Sequence, residues 1–275
     1  MAYESIILKK AEHVATITLN RPKVGNAFDM TLGAEFDHAI KLLGQDKDVR
    51  VIIITGVGNY FSTGIDLSMF TAPEQHANKV LTLQDVLPTE DDETFGKGTA
   101  VAAVIRIKNM PKPVIAAVNG QAVGLGLSIV LACDIIVASS MAKFGMVFVK
   151  RGVVPDTGAS FDLPRVVGLK KACELTFTGD TIDAAEADRI GMVSRVVPPD
   201  ELMNTAMQLA QKIANNPPLA VGLAKSQLYR AMVETDVIRH MKWEVENMEN
   251  LMKTADFLEA ASAFLEKRKP VFKGE

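Results

Sequence analysis

Residues 113–138 read Pro113-Val114-Ile115-Ala116-Ala117-Val118-Asn119-Gly120-Gln121-Ala122-Val123-Gly124-Leu125-Gly126-Leu127-Ser128-Ile129-Val130-Leu131-Ala132-Cys133-Asp134-Ile135-Ile136-Val137-Ala138. A short β-branched run, Val114 to Val118, meets Asn119-Gly120. The pair Gly124 and Gly126 then opens an apolar, small-residue helix that ends before a second buried strand at Ile135 to Ala138. A strand, tight loop and helix N-terminus in this order aim unpaired backbone N–H groups and the positive end of a helix dipole at one point, which suits a developing negative charge. The same glycines would also let a helix pack closely on a sheet, and these residues alone leave both readings open.

Working outward, Ser5–Lys10 and Val14–Asn20 form a β-hairpin by alternation. Asp29 or Thr31 caps an amphipathic helix running to about Gly44, and the wholly apolar Val51–Thr55 reads as a strand buried on both faces. Gly56-x-Gly58 follows that strand, but Phe61 stands at the third glycine position of a dinucleotide fingerprint, so the loop is read as a second presenter of backbone amides, with Asp66 as a cap. Ser68–Gly98 is polar and irregular, with acids at Glu90, Asp91, Asp92 and Glu93, and reads as an exposed insertion able to cover a site. Thr99–Asn109 is helical up to Pro111. Ala142–Met146 is a strand edge, and Leu163–Thr178 and Ala184–Arg189 are helices. The chain beyond Pro199 is helical: Glu201–Ala214, Pro217–Glu234, Val237–Thr254 and Asp256–Lys267. The domain boundary is placed at Val197-Pro198-Pro199, dividing a strand-rich core, 1–198, from a helical region, 199–275.

The composition, 275 residues with 48% hydrophobic, 23% charged and a net charge of −3, allows a large core and gives no electrostatic case for nucleic acid or an anionic membrane surface. No run approaches the roughly 18 apolar residues of a membrane span, and the opening residues lack an apolar segment behind a basic start. A cytoplasmic protein is expected, with Cys133 and Cys173 as reduced thiols. The histidines His13, His38, His76 and His240 lack ligand spacing, so no metal site is expected.

Asn20-Arg21-Pro22, Asn26-Ala27, Phe61-Ser62-Thr63-Gly64-Ile65-Asp66-Leu67, Ala117-Val118-Asn119-Gly120, Gly124-Leu125-Gly126, Ala132-Cys133-Asp134, Leu175-Thr176-Phe177-Thr178-Gly179-Asp180 and Phe264-Leu265-Glu266-Lys267-Arg268 occur in an order that resembles the crotonase family, the enoyl-CoA hydratases and isomerases. The resemblance covers essentially the whole chain. It implies an α/β spiral of ββα units followed by a C-terminal helical trimerisation region, a homotrimer or homohexamer, and an acyl-CoA thioester as substrate with no separate cofactor. By position it assigns an oxyanion hole to the backbone N–H groups of Ile65 and Leu125. It also assigns a substrate-binding surface to Lys23, Val24, Ser62, Gly64, Asp66, Leu67, Gly124, Gly126, Ser128 and Phe148. Two fixed donors suit chemistry that begins by polarising a thioester carbonyl.

The two glutamates that hydratases of this family use correspond to Ser128 and Phe148, and neither side chain can exchange a proton near neutral pH. Asp156, in Val153-Val154-Pro155-Asp156-Thr157-Gly158, stands where single-carboxylate enoyl-CoA isomerases and ring-opening isomerases of the phenylacetate pathway carry their acid. The resemblance therefore implies an isomerase with Asp156 as acid and base, its pKa raised by Met146, Phe148 and Val154. Pro-Asp-x-Gly is also favourable turn chemistry. The alternatives are a hydratase or thioester hydrolase on the same scaffold and a non-catalytic CoA- or RNA-binding relative. Lys23 or one of Lys267, Arg268 and Lys269 reaching a CoA phosphate is the minor alternative to plain solvation.

Overall fold

The computed structural model describes residues 3–70 and 99–275. The expected insertion, with its acidic run and His76, lies almost wholly outside the described residues. The described chain builds two sheets. The larger has the order β1-β2-β3-β5-β7-β10, from β1 (Ile6–Ala11), β2 (Val14–Leu19), β3 (Val51–Gly56), β5 (Val114–Val118), β7 (Ile135–Ser139) and β10 (Arg195–Val197). The smaller has the order β4-β6-β8-β9, from β4 (Tyr60–Ser62), β6 (Gln121–Val123), β8 (Lys143–Gly145) and β9 (Thr181–Asp183). Only β1 with β2 and β8 with β9 pair antiparallel.

Strands β3, β5 and β7 run side by side in one sheet, and their successors β4, β6 and β8 run side by side in the other. Each turn of the chain thus adds one strand to each sheet, a structural repeat without a sequence repeat. The stacking brings the loops after β4 and β6 to the same edge. Strand β6 goes beyond the expected plain loop between β5 and the helix, and β8 lies inside the smaller sheet rather than at its edge. A three-residue strand carries too little alternation to show in sequence.

Among the described residues ten α-helices are present: α1 (Met30–Gln45), α2 (Ala100–Asn109), α3 (Leu125–Ala132), α4 (Ala159–Val167), α5 (Leu169–Thr178), α6 (Ala184–Arg189), α7 (Leu202–Ala214), α8 (Pro218–Ala231), α9 (Val237–Leu251) and α10 (Ala255–Glu266). Asp29 caps α1 through Leu32 N at 2.8 Å, and Thr99 caps α2 through Ala102 N at 3.2 Å. The single helix expected over Leu163–Thr178 is two helices. Gly168, at φ +77° and ψ 153°, breaks the run, and the first helix begins earlier, at Ala159.

Alternation along the central strands serves two cores. Ile52, Ile54, Val114 and Ala116 face the cluster shared with α1, α2 and α3, whereas Val51, Ile53, Ile115 and Ala117 face Leu202, Ala206, Ala210 and Ala214 of α7. Helix α7 is therefore the second cover of the large sheet. The boundary expected between 198 and 199 falls inside packed structure, and the helices that leave the sheet begin after Ala214. The reason is physical: a mostly parallel sheet must be buried on both faces. No described helix is long and apolar enough to cross a membrane.

Because Ala210 is fully buried against that sheet, Ala210→Leu should overpack the interface and lower stability by about 1–3 kcal/mol. Urea unfolding measures this, and an unchanged midpoint would show that α7 is only loosely attached.

Candidate active site

The second sheet carries two loops to one place. After β4 the chain runs Thr63-Gly64-Ile65-Asp66, and after β6 it runs Gly124-Leu125 into α3. The loop of residues 25–28 lies beside the first: Thr63 N donates to Gly25 O at 3.0 Å, Phe28 N to Gly64 O at 2.7 Å and Asp66 N to Phe28 O at 2.9 Å. This ladder uses the groups on either side of Ile65 and leaves the Ile65 N–H without an acceptor among the described residues. Leu125 N, at the first position of α3, is likewise without one, because the first amides of a helix have no intrahelical partner. The two donors are neighbours, since a Cβ placed on Gly64 would lie 3.3 Å from Leu125 N and 3.0 Å from Val123 O.

Three contacts set that proximity. Gly64 has φ +95°, a conformation that disfavours a side chain, and Gly126 lies so close to Ser62 that an added methyl would stand 2.5 Å from the Ser62 carbonyl oxygen. The Ser62 hydroxyl, fully buried, donates to Asn26 O at 2.8 Å and accepts from Gly64 N at 3.1 Å. Two asparagines hold the β3–β4 connection. Asn26 Nδ2 donates to Val57 O at 3.1 Å and Tyr60 O at 2.8 Å, and Asn119 Nδ2 donates to Gly58 O at 2.8 Å while its Oδ1 accepts from Gly56 N at 3.1 Å. Both asparagines stand in the quoted motifs, but their pairing across the fold has no sequence signal. Arg21 adds a charged tie, bridging Asp29 at 2.8 Å and Asp66 at 3.2 Å.

The expected contact residues fall into two groups. Lys23 and Val24 lie exposed on the 3-10 turn Pro22–Val24, and Ile65 and Leu67 are 43% and 48% exposed, so these can meet a ligand at the mouth. Ser62, Ser128 and Gly126 are buried, and the two serine hydroxyls bond within the fold, where they support the loops. Gly124, the residue before α3 at φ +54°, makes the turn into that helix. Asp66 is a cap as well as an ion-pair partner: Oδ1 accepts from Ser68 N at 3.1 Å and Ser68 Oγ at 2.7 Å. These bonds and Arg21 hold its pKa below the usual carboxylate value. The Leu125 side chain is half-buried and leans on the core. Arg268, expected to be solvated, pairs bidentately with Glu259 at 2.6 and 2.8 Å and steadies the chain's last residues.

Asp156 sits above α3. Its carbonyl accepts from Ser128 Oγ at 3.3 Å, one turn along the helix from Leu125 N, and from Ala159 N at 3.0 Å at the start of α4. The residue is open to water, with the buried Ser128 beside its main-chain carbonyl. Desolvation raises its pKa above the usual carboxylate value, against the lowering effect of a hydrogen bond from Thr157 Oγ1 to Oδ1 at 3.1 Å. Met146 and Phe148 are buried in the core beneath, but Val154, expected to enclose the carboxyl, stands out at 77% exposure. A loop valine before a proline finds no described apolar neighbour to cover it.

Behind this surface α8 is tied to the core. Lys225 Nζ meets Asp134 at 2.8 Å, Tyr229 donates to the same carboxylate at 2.8 Å, and Lys108 of α2 meets Asp162 of α4 at 2.6 Å. Burial pushes the Cys133 thiol pKa up, so that side chain is no nucleophile. No group of three metal-ligating side chains occurs among the described residues.

Two stacked sheets that bring a pair of unpaired main-chain donors together, with the Asp156 turn hydrogen-bonded to α3 through its main-chain carbonyl, define a class of α/β proteins. Residues 9–275 match the family model described as enoyl-CoA hydratase/isomerase, and the chain belongs to that family. It is 39% identical to the short-chain-enoyl-CoA hydratase of Clostridium acetobutylicum, over 98% of this chain and 97% of that one. It is 34% identical to the 1,2-epoxyphenylacetyl-CoA isomerase of Escherichia coli, over 99% of both. The crystal structure of an enoyl-CoA hydratase from Bacillus anthracis superposes with a TM-score of 0.86 at 33% identity, covering 99% of this chain and 100% of that one.

Gly126→Ala should force α3 and the Ser62–Gly64 loop apart. Turnover is expected to fall by about a hundredfold or more, the cost of one misplaced oxyanion donor, with a lowered Tm. Steady-state kinetics beside thermal unfolding test this, and unchanged kinetics would remove the paired-donor site.

Proposed function

We propose that the protein is an acyl-CoA isomerase that moves a carbon–carbon double bond, converting a 3-enoyl-CoA or a related ring-derived acyl-CoA to its 2-enoyl isomer. One observation carries the reading. The positions assigned to the two hydratase glutamates hold Ser128 and Phe148, both buried, while the turn of Asp156 is hydrogen-bonded to the first turn of α3 through the Asp156 main-chain carbonyl. The thioester oxygen accepts from the Ile65 and Leu125 amides. Asp156 takes a proton from the carbon next to the carbonyl, and the charge spreads through a dienolate onto that oxygen. The same carboxyl returns the proton two carbons further on, so substrate and product have equal mass. Water is not consumed, and one acid–base group suffices.

Hydration is the second reading, favoured by the hydratase name of the Clostridium acetobutylicum relative. Incubation with a 3-enoyl-CoA and a 2-enoyl-CoA, followed by ultraviolet absorbance and mass, separates the two, because hydration adds one water. Asp156→Asn should keep the fold and CoA-ester binding and lower isomerase turnover by about two to four orders of magnitude. The base must be ionised, so activity falls as pH drops through its pKa. With that pKa raised by desolvation, the fall should begin above the ordinary carboxylate range. Near-normal turnover of Asp156→Asn would remove Asp156 as the base.

We also propose that the working form is a homotrimer or a pair of trimers. Helix α9 has no buried residue, and Val237, Met241, Val245, Met248 and Met252 recur along it at 51–68% exposure. A stripe of this size on one helix calls for a partner surface. Light scattering should give a mass of three or six chains, and a monomer at micromolar concentration would contradict it.

A further inference from the structure

The turn that carries Asp156 holds a conformation its own sequence disfavours. Among the described residues five that are not glycine have positive φ: Glu12, His13, Asn26, Thr157 and Lys267. Of these Thr157, at φ +51°, is the one with a branched Cβ, and a β-branched residue in the left-handed region is a true outlier. The adjoining Gly158, at φ +84°, shows what an unstrained occupant looks like. Strain of this kind persists where the surroundings impose it, and it collects at functional sites.

The surroundings here are firm on both sides. Ser128 and Ala159 N hold the Asp156 carbonyl, and Phe161 N and Asp162 N both donate to Gly158 O, at 3.0 and 2.9 Å. Glycine at 157 would satisfy that backbone without strain. What threonine adds is the hydroxyl, which donates to Asp156 Oδ1 at 3.1 Å. A donor on Oδ1 stops the carboxyl from swivelling and favours its ionised form.

We propose that Thr157 is a positioning residue for the isomerisation: held by the left-handed backbone, its hydroxyl occupies Oδ1 of Asp156, so that the proton is taken up and returned at Oδ2. The inference rests on the reading of Asp156 as the base. The step balances within the site: the C–H bond beside the carbonyl breaks, an O–H bond forms at Oδ2, and the reverse transfer two carbons on restores the carboxylate. Thr157 keeps its own proton throughout.

The test uses the full-length protein and a 3-enoyl-CoA. Thr157→Val preserves the shape and removes the hydroxyl, whereas Thr157→Gly removes the hydroxyl and the strain together. Both should lose kcat by about tenfold to a hundredfold, the range expected for a lost hydrogen bond to a charged group, with KM little changed. Losing a donor that favours the ionised carboxylate raises its pKa, so the acid limb of the kcat–pH profile should move to higher pH in both. Thr157→Ser should restore most of the activity and the original limb. Thr157→Gly should melt above the wild type, which shows that the lost activity is not lost folding. A Thr157→Gly protein with wild-type kcat and an unmoved acid limb overturns the proposal, as does a fall in kcat with no limb shift in both hydroxyl-free variants. Asp156→Asn run alongside separates the two failures. If it is inactive while Thr157→Gly is normal, only the role of Thr157 falls; if it turns over normally, the base assignment falls and this inference with it.

Discussion

The close approach of helix α3 to the Ser62–Gly64 loop is the constraint on which the site depends. Two backbone amides from segments some 60 residues apart in sequence become neighbours only where no side chain intervenes. A single methyl at Gly126 would stand 2.5 Å from a carbonyl oxygen, and one at Gly64 would crowd Val123 O and Leu125 N. Main-chain donors held this way suit a developing oxyanion, because they are already oriented when charge appears and reorganise little as it grows. The supporting asparagines, Asn26 and Asn119, extend the same logic by holding the main chain of the β3–β4 connection in place.

Charge is distributed by depth. The deep ion pairs tie α8 to the loop after α3 through Lys225 and Asp134, and α2 to α4 through Lys108 and Asp162. Asp156 differs from them: no cation pairs with it among the described residues, its neighbours desolvate it, and the hydroxyl beside it is the countervailing influence. Burial raises the pKa of Asp162 as it does that of Asp156, but Asp162 has the Lys108 ammonium against it to oppose the shift. The contrast within one small region sets a carboxylate without a described cation partner apart from carboxylates that tie elements of the fold together.

Much of the architecture was legible in the chain. The apolar run at Val51–Thr55 required a strand buried on two faces, the β-branched run at Val114–Val118 marked another strand, Asp29 or Thr31 marked the start of α1, and the Gly124–Gly126 pair marked the start of α3. The short strands β6 and β9 were not legible, because three residues leave no periodicity to read. The helix break at Gly168 was hidden inside an otherwise continuous helical pattern. The place of α7 was misjudged for a related reason: its apolar stripe announces that it packs, but not on what. Nor did the sequence show that the Ser62 and Ser128 hydroxyls bond to main-chain carbonyls far along the chain.

The amino-acid sequence by itself determined the longer strands and helices and where glycine must stand, and its resemblance to the family implied which hydratase acids are missing. These follow from local properties: side-chain periodicity, backbone freedom and proton chemistry. Only the tertiary structure decided that the Ile65 and Leu125 amides stand side by side, that the Asp156 turn is pinned over α3, and that Thr157 adopts a left-handed conformation to reach the carboxylate. Those are relations between segments far apart in the chain or set by their packing, and no local pattern encodes a distance that the stacking of two sheets imposes.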